Sequence, residues 1–286
     1  MLGASLTLGP PMRVHHLNCG TLCPFAFDRA GVFPPQHVMV CHVLLVETPS
    51  SGLVLVDTGF GTLDLKTPGL LGAAFQKLAG PLLREEETAV ALVRKLGFSP
   101  SDVRHVVPTH LDLDHAGGLP DFPRAKVHVY EPELRGMERG ATFGERHRYR
   151  PHQFAHRPDW VRYEVSGERW RGFECVRALA GLPPELLLVP TVGHSRGHVA
   201  VVVESAGRAL VHAGDSYFHH AEIRGDGRGC PLPLRLFQRA AAFDDAARLH
   251  NQARLRELAR SLDVQIFSAH DPVEAATHGV EIHGRR

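Results

Sequence analysis

The stretch that decides the fold is residues 109–118, with the sequence THLDLDHAGG. It places two histidines and two aspartates, His110, Asp112, Asp114 and His115, within six consecutive positions, directly after the apolar run HVVP. Imidazole nitrogens and carboxylate oxygens are ligands that zinc and related metal ions accept in proteins. The stretch therefore predicts a metal site at the end of a buried strand.

Three further segments repeat the pattern of an apolar strand that ends in a possible metal ligand. His194 follows ELLLVPT, Asp215 follows ALVHAG, and His270 follows VQIFSA. The ends of neighbouring strands converge on one edge of a sheet, which is where α/β folds assemble their sites. We therefore expect these three side chains to join the four in residues 109–118.

The rest of the chain predicts strands and helices in alternation, with no repeat at a fixed period. Two runs rich in β-branched residues, HVMVCHVLLVE and LVLVDTG, are joined by turn residues 49–52 and predict a hairpin. EEETAVALVRKLG predicts a helix with acids in its first turn and Gly97 as C-cap, and a second helix is expected over about 243–262. Residues 141–160, rich in His, Arg and Pro, show no periodicity and predict a long loop or insertion.

Composition limits the classes of partner and the cellular location. The 286 residues carry 32 Lys and Arg against 31 Asp and Glu, a formal net charge of +1, so no overall attraction to nucleic acid is expected. The apolar stretches are too short to span a bilayer, and the N-terminus lacks the features of a signal peptide. Five cysteines without a paired framework favour a reducing compartment. We predict a disordered lead over 1–11, a single domain over 12–286, and a cytoplasmic protein without a membrane partner; the oligomeric state stays open.

Taken together, these motifs resemble the metallo-β-lactamase superfamily of metallo-hydrolases. Its HxHxDH signature appears as HLDLDH followed by AGG, its LVDTG at residues 55–59, its PGHTPGH block as VGHSRGH, its GD at 214–215 and its final histidine in SAHD. Within the superfamily the chain is similar to the N-acyl-homoserine lactonase-like branch, through HLNCG, DHAGGL and SAHDPVE. The resemblance implies an α/β fold: a four-layer αβ/βα sandwich of two mixed β-sheets flanked by helices, with the site at the sheet edge.

The resemblance also implies a site with two divalent metal ions, zinc first, with manganese or iron as alternatives. One ion would take His110, Asp112 and His194, the other would take Asp114, His115 and His270, and Asp215 would bridge them. Behind these ligands, Asp57 and His198 would form supporting hydrogen bonds. The implied catalytic side chains are Asp114 and Tyr217, the latter steadying the substrate carbonyl.

Asp112 stands where the family usually has a histidine. In the family this histidine generally binds through Nδ1, which is two bonds beyond Cβ, as an aspartate Oδ is, so Asp112 is expected to remain a ligand. Two divalent ions, three aspartates and a hydroxide then sum to zero, against +1 with a histidine. A less positive centre would acidify water less, and the oxygen ligand would favour manganese or iron slightly more.

The expected activity is hydrolysis of an ester-like carbonyl, a lactone first, by a hydroxide that bridges the two metal ions. One alternative is a thioester hydrolase resembling hydroxyacylglutathione hydrolase, for which the Arg-rich residues 141–160 would supply an anion-binding pocket. The other is a non-hydrolytic metalloprotein, an iron-dependent oxygenase or a binding protein, on the same fold. The expected partner is a small ester, lactone or thioester, recognised by residues 60–83, 131–160 and 218–240.

Overall fold

Two mixed β-sheets form the centre of the computed structural model, which describes residues 12–24, 31–34, 37–224 and 229–282. The predicted lead, residues 1–11, lies outside them. The first sheet has six strands in the order β1-β2-β3-β4-β5-β6, antiparallel up to β3 and parallel from β3 to β6. Its strands are β1 (Arg13–Leu22), β2 (Met39–Glu47), β3 (Leu53–Val56), β4 (Val103–Val107), β5 (Lys126–Tyr130) and β6 (Asp159–Tyr163).

The second sheet has four strands in the order β12-β11-β10-β9, in which only β11 and β12 run parallel. A separate two-stranded ribbon pairs β7 with β8. The strands are β7 (Arg169–Trp170), β8 (Phe173–Glu174), β9 (Leu186–Pro190), β10 (Val199–Ser205), β11 (Arg208–His212) and β12 (Val264–Phe267).

The core sits between the two sheets and on their outer faces. Strand β3 shows this arrangement, because Val54 and Val56 pack toward the second sheet while Leu53 and Leu55 pack toward helices on the other side. All four are buried, as in strands covered on both faces. On the outer face of the second sheet, Leu255 packs in the same way from a helix. The layers are therefore helix, sheet, sheet, helix, which confirms the predicted sandwich.

The helices lie in the outer layers and in the loops that connect the strands. None of those in the described ranges is long and apolar enough to cross a membrane. The α-helices are α1 (Thr62–Lys66), α2 (Ala73–Ala79), α3 (Ala89–Lys95), α4 (Leu113–Ala116), α5 (Glu131–Arg139), α6 (Phe143–Arg148), α7 (Leu232–Ala241), α8 (Asp245–Leu258) and α9 (Pro272–Thr277). Short 3₁₀ turns span Pro68–Leu71, Glu85–Glu87, Pro100–Asp102, Leu119–Asp121, Pro151–Phe154 and His220–Glu222.

The helix predicted from EEETAVALVRKLG is shorter than expected. The three acids form a 3₁₀ turn of their own, and α3 begins at Ala89 because the Thr88 side chain accepts a hydrogen bond from the Ala91 N–H. A threonine in this role satisfies a backbone donor that the first turn of a helix leaves unpaired. The helix therefore starts at the threonine and not at the acids.

Residues 141–160, predicted as a long loop or insertion, contain short regular elements that the sequence did not predict. The segment contains α6, the 3₁₀ turn Pro151–Phe154 and the start of β6. Helix α6 begins with a capping box, in which the Thr142 hydroxyl accepts from the Glu145 N–H and the Glu145 carboxylate accepts from the Thr142 N–H. At six residues the helix is too short to show a periodicity.

Candidate metal centre

Four buried histidines meet where strands of both sheets end. His110 follows β4, His194 follows β9, His270 follows β12, and His115 lies in α4; each is at most 3% exposed. These positions bring together ligands from the two sheets at one edge of the sandwich.

Three of the histidines are oriented by hydrogen bonds on the outer side of the ring. The Nδ1 atom of His115 donates to Asp57 (2.9 Å), that of His270 to the Val40 carbonyl (2.8 Å), and that of His110 to the Thr109 hydroxyl (3.0 Å). When Nδ1 carries the proton, the Nε2 atom of a neutral ring carries a lone pair. These three lone pairs therefore point into the space between the rings.

Asp215 offers one oxygen to each pair of histidines. Its Oδ1 lies 3.3 Å from His115 Nε2 and 3.1 Å from His270 Nε2, and its Oδ2 lies 3.3 Å from His194 Nε2 and 3.7 Å from His110 Nε2. We call His110, His194 and Asp215 the first triad, and His115, His270 and Asp215 the second triad. Within each triad one ligand atom per residue lies within 4.8 Å of the other two. A shared carboxylate of this kind is suited to bridging two ions.

A further aspartate stands beside each triad. Asp112 Oδ2 lies 3.1 Å from His194 Nε2 and 3.4 Å from His110 Nε2. Asp114 Oδ2 lies 3.7 Å from His270 Nε2, and its Oδ1 lies 4.0 Å from His115 Nε2. The structure thus brings together all seven side chains that the sequence selects as metal ligands, with Asp112 on the side of the first triad.

The unpaired atoms of this cluster fit divalent cations. His110 Nε2 and Asp215 Oδ1 are buried without a hydrogen-bond partner among the described residues, and the Nε2 atoms of His115 and His270 face each other at 3.3 Å. Burial acts to lower the pKa of His115, but Asp215 and Asp57 outweigh it and hold that pKa well above its usual value. Buried lone pairs without a donor are costly. Divalent cations bound at the two triads would give each of these nitrogen and oxygen lone pairs a partner.

Asp57 supports the second triad from behind. Its Oδ1 accepts from the Thr109 N–H (2.7 Å), and its Oδ2 accepts from the Thr109 hydroxyl (2.9 Å) and from His115. Asp57 has a φ of +61°, a conformation that costs a non-glycine residue about 1–3 kcal/mol. The fold therefore accepts backbone strain in order to place this carboxylate between the start of HLDLDH and its last histidine.

His198 supports Asp215 through the backbone. Its Nδ1 donates to the Thr191 carbonyl (3.1 Å), which leaves Nε2 to accept from the Asp215 N–H (2.8 Å). Burial, together with the neighbouring His110 ring, holds the pKa of His198 well below its usual value, as an acceptor requires. At Gly214, which has a φ of +51°, a Cβ would lie 2.5 Å from His198 Nε2, so the GD motif needs its glycine for this close approach.

The reasoning from sequence missed Glu133, which ties the loops of the first triad together. Its Oε1 accepts from the Leu111 N–H (3.0 Å), and its Oε2 accepts from the Ser195 hydroxyl (2.6 Å) and the Gly197 N–H (2.9 Å). Glu133 is 1% exposed. In the sequence it resembles an ordinary acid in the first turn of a helix, and only contacts across the fold distinguish it.

The structure does not bring Tyr217, for which the resemblance implies a catalytic role, into the wall of the cavity beside the ligands. Its side chain is fully buried in the core beneath the second sheet, and its hydroxyl donates to Glu274 (2.9 Å). The next residue, Phe218, lines the cavity in its place. The turn after Asp215 therefore points Tyr217 away from the ligands.

The ligands open onto a cavity of about 590 Å³. Asp112, Asp114, Asp215, His194 and His270 form part of its wall. A ligand set that faces an open space is typical of catalytic rather than structural metal sites. The remaining wall is mainly apolar, comes largely from the three expected segments, and includes Leu22, Met39, Phe75, Leu78, Leu113, Phe218, Leu234 and Phe237.

Arg148, at the end of α6, contacts the unusual ligand position. Its Nη1 donates to Asp112 Oδ2 at 2.8 Å, and its Nη2 donates to the Ala241 carbonyl. Burial acts to raise the pKa of Asp112, but Arg148 and His110 hold it well below its ordinary value. The charge balance expected from the sequence omitted this guanidinium, which returns the formal sum from zero to +1.

Comparison with known proteins gives the family. The model of the metallo-beta-lactamase superfamily matches residues 38–263. A probable metallo-hydrolase of Mycobacterium tuberculosis is 42% identical over 275 residues, which cover 95% of this chain and 84% of that protein.

Solved structures agree on the fold. An N-acyl homoserine lactone hydrolase, with the product N-hexanoyl-L-homoserine at its catalytic metal centre, has a TM-score of 0.68 at 21% identity, covering 94% of this chain and 97% of that one. A dizinc quorum-quenching lactonase has a TM-score of 0.58 at 17% identity, covering 93% and 90%. With the family model matched over most of its length and a close metallo-hydrolase relative, the chain belongs to the metallo-beta-lactamase superfamily and is a metallo-hydrolase.

Proposed function

We propose that the protein is a binuclear hydrolase of ester-like carbonyl compounds, with lactones as the first substrate class. The observation that carries this proposal is the pair of triads that share Asp215 in the wall of a mainly apolar cavity. The structural neighbours named above include hydrolases of acyl lactones. The apolar wall is suited to an acyl chain, while the reacting carbonyl would lie at the ligands.

The chain's own residues have distinct roles in this proposal. Divalent ions, when bound, would lower the pKa of water and polarise a carbonyl oxygen. Four imidazoles favour zinc, and three carboxylates leave manganese or iron as alternatives. Asp215 and the four histidines would hold the ions, and Asp112 would add a ligand to the first triad. Asp114 faces the cavity beside the second triad, where its carboxylate could accept a proton from water and return it to the leaving oxygen.

A second candidate is a thioester hydrolase. The observation that favours it is the basic part of the cavity wall, formed by His147, Arg148 and Arg150. Many biological thioesters are anionic, and guanidinium groups are suited to carboxylates and phosphates. Lactone and thioester hydrolysis would use the same ligands, so substrate turnover must distinguish them.

The test is turnover by protein whose metal content has been measured. Purified protein would be analysed for zinc, manganese and iron, loaded to two ions per chain, and given acyl-homoserine lactones, thioesters and phosphoesters. We expect the lactones to be hydrolysed, and we expect activity to disappear with a chelator and return with metal. His194→Ala should lower turnover strongly, whereas His250→Ala, at an exposed position in α8, should not. If the loaded protein hydrolyses no lactone, ester or thioester, the proposal fails.

A further inference from the structure

We propose that Arg150 is the recognition site for a carboxylate carried by the substrate, distant from the bond that is hydrolysed. As a substrate site it rests on the hydrolase function proposed above. It adds a preference that the metal centre by itself does not impose, for a negative charge on the substrate.

After α6, successive side chains alternate in direction. Tyr149 (φ −83°, ψ 142°) and Arg150 (φ −109°, ψ 102°) are both extended. Successive side chains of an extended segment point to opposite sides. The Tyr149 side chain turns inward, where its hydroxyl donates to Glu133 (3.2 Å), so Arg148 and Arg150 both reach the cavity.

The two arginines differ in their hydrogen-bond partners. Arg148 is paired with Asp112 and the Ala241 carbonyl. The Arg150 guanidinium has no hydrogen bond or ion pair with any residue in the described ranges, and its Nε is buried without a partner. A guanidinium has five N–H donors in a planar fork and no acceptor. Arg150 therefore presents an unused set of donors to the cavity.

Within the described ranges, the part of the cavity around Arg150 offers it no carboxylate outside the metal centre. Its Nη2 lies 3.3 Å from where a Cβ on Gly72 would be, next to the start of α2, which contributes Phe75 and Leu78 to the same cavity. Of the described residues that line this cavity, the carboxylates are Asp112, Asp114 and Asp215, which belong to the metal centre. No carboxylate of the lining thus remains to neutralise Arg150.

These facts define the ligand chemistry. A part-buried guanidinium in a mainly apolar cavity wall gains most from a planar anion that accepts two parallel N–H bonds. Because the Arg148 guanidinium already donates to Asp112 and the Ala241 carbonyl, the free donors of Arg150 suit one further planar anion such as a carboxylate. The substrate class is therefore an ester, lactone or thioester with a carboxylate that reaches Arg150 while its carbonyl lies at the ligands.

The test compares two esters that differ only in the distant charge. One is the aryl monoester of a linear dicarboxylic acid, and the other is the same compound with its free carboxylate capped as a methyl ester; a series of chain lengths is used. In the wild type we expect kcat/KM to be about 10- to 100-fold higher for the anionic ester at the best length, mainly through KM. Arg150→Gln should remove this preference, so that kcat/KM for the anionic ester falls to the value for the neutral ester. Arg150→Lys should retain part of it.

Arg139→Gln is the matched control, because it removes the same charge from an exposed position outside the cavity. Its preference should equal that of the wild type. The inference is overturned if the wild type shows no preference at any length, or if Arg150→Gln lowers turnover of both esters equally.

A binding measurement separates this inference from the proposed function. Calorimetry on the metal-loaded protein compares a linear dicarboxylate with the monocarboxylate of equal length. The second carboxylate should tighten binding about tenfold or more in the wild type and not in Arg150→Gln. If no ester is hydrolysed but this difference is present, the hydrolase function fails while the anion site stands. If esters are hydrolysed but the difference is absent, the anion site fails and the hydrolase function stands.

Discussion

In the second triad both histidines are held from behind, His115 by Asp57 and His270 by the Val40 carbonyl. In the first triad only His110 has such a partner, while His194 Nδ1 is buried without one among the described residues. The first triad instead depends on residues of the outer layer: Glu133 ties its two loops together, and Arg148 holds Asp112. We infer that the second triad is preorganised by the sheet, and that the first depends on α5 and α6.

The largest effect is expected where the two triads meet. Asp215→Ala removes the oxygens that both share, so the protein should retain fewer than one ion per chain and lose about 10³-fold or more in kcat/KM, equivalent to several kcal/mol of transition-state stabilisation. Metal analysis and kinetics on the same sample test this. Asp263→Ala, at an exposed position, is the control. Retention of two ions by Asp215→Ala would show that the carboxylate does not bridge.

Two conservative variants, one behind each triad, test whether the two triads are held independently. Asp57→Asn keeps the backbone conformation, which asparagine tolerates, but weakens the acceptor of His115. Glu133→Gln places amide donors against the Ser195 hydroxyl and the Gly197 N–H. Each should weaken one of two successive metal-binding steps, seen by calorimetry with Co²⁺, by about 10- to 100-fold. If each variant weakened both steps equally, the two triads would not be held independently.

A smaller effect is expected at Asp112. Asp112→His deprives Arg148 of its partner and places an imidazole beside a guanidinium, so kcat/KM should fall about tenfold, or about 1.4 kcal/mol. Adding Arg148→Met should recover most of this loss, because the uncompensated charge is then gone. The four proteins of this double-mutant cycle would be compared for metal content and turnover. Additive losses would show that Arg148 does not act through Asp112.

Tyr217→Phe should leave activity within about twofold, because the hydroxyl contacts Glu274 and not the cavity. The loss of one buried hydrogen bond should lower the free energy of unfolding by about 1 kcal/mol. Turnover and urea unfolding of the same variant test both statements. A large fall in kcat with unchanged stability would return Tyr217 to the catalytic site.

The hydrogen-bonded pair of Tyr217 and Glu274 also leads us to expect a pH dependence of stability. Burial and the neighbouring Asp271 raise the pKa of Glu274 from 4.5 to about 8. The folded state thus favours the neutral acid, and this contribution is complete below about pH 4.5 and lost as the pH rises to about 8. The unfolding free energy of the wild type, relative to that of Glu274→Gln, should fall across this range by at most about 1.4 kcal/mol per pH unit. A difference that is constant from pH 5 to pH 8 would contradict this.

Much of the centre was predictable from sequence because its ligands follow strands. Apolar runs that end in His110, His194, Asp215 and His270 can be recognised in the amino-acid sequence itself, and strand ends converge in α/β folds. Glu133 and Tyr217 were not predictable in the same way. Glu133 acts on residues 22 and 62 positions away, and the direction of Tyr217 is set by one turn and by packing against α9.

The sequence alone indicated the alternation of strands and helices and the seven converging side chains, since these depend on local pattern and on residue types with few other uses. The four-layer architecture followed from the family resemblance that the same motifs carry. Only the tertiary structure decided how the centre is held and what faces it. Arg148 meets Asp112 across 36 positions, whereas Arg150, on the same basic part of the cavity wall, has no partner among the described residues. Both outcomes depend on how α6 packs over the loops, because a charge acquires its role from the partners that packing places near it.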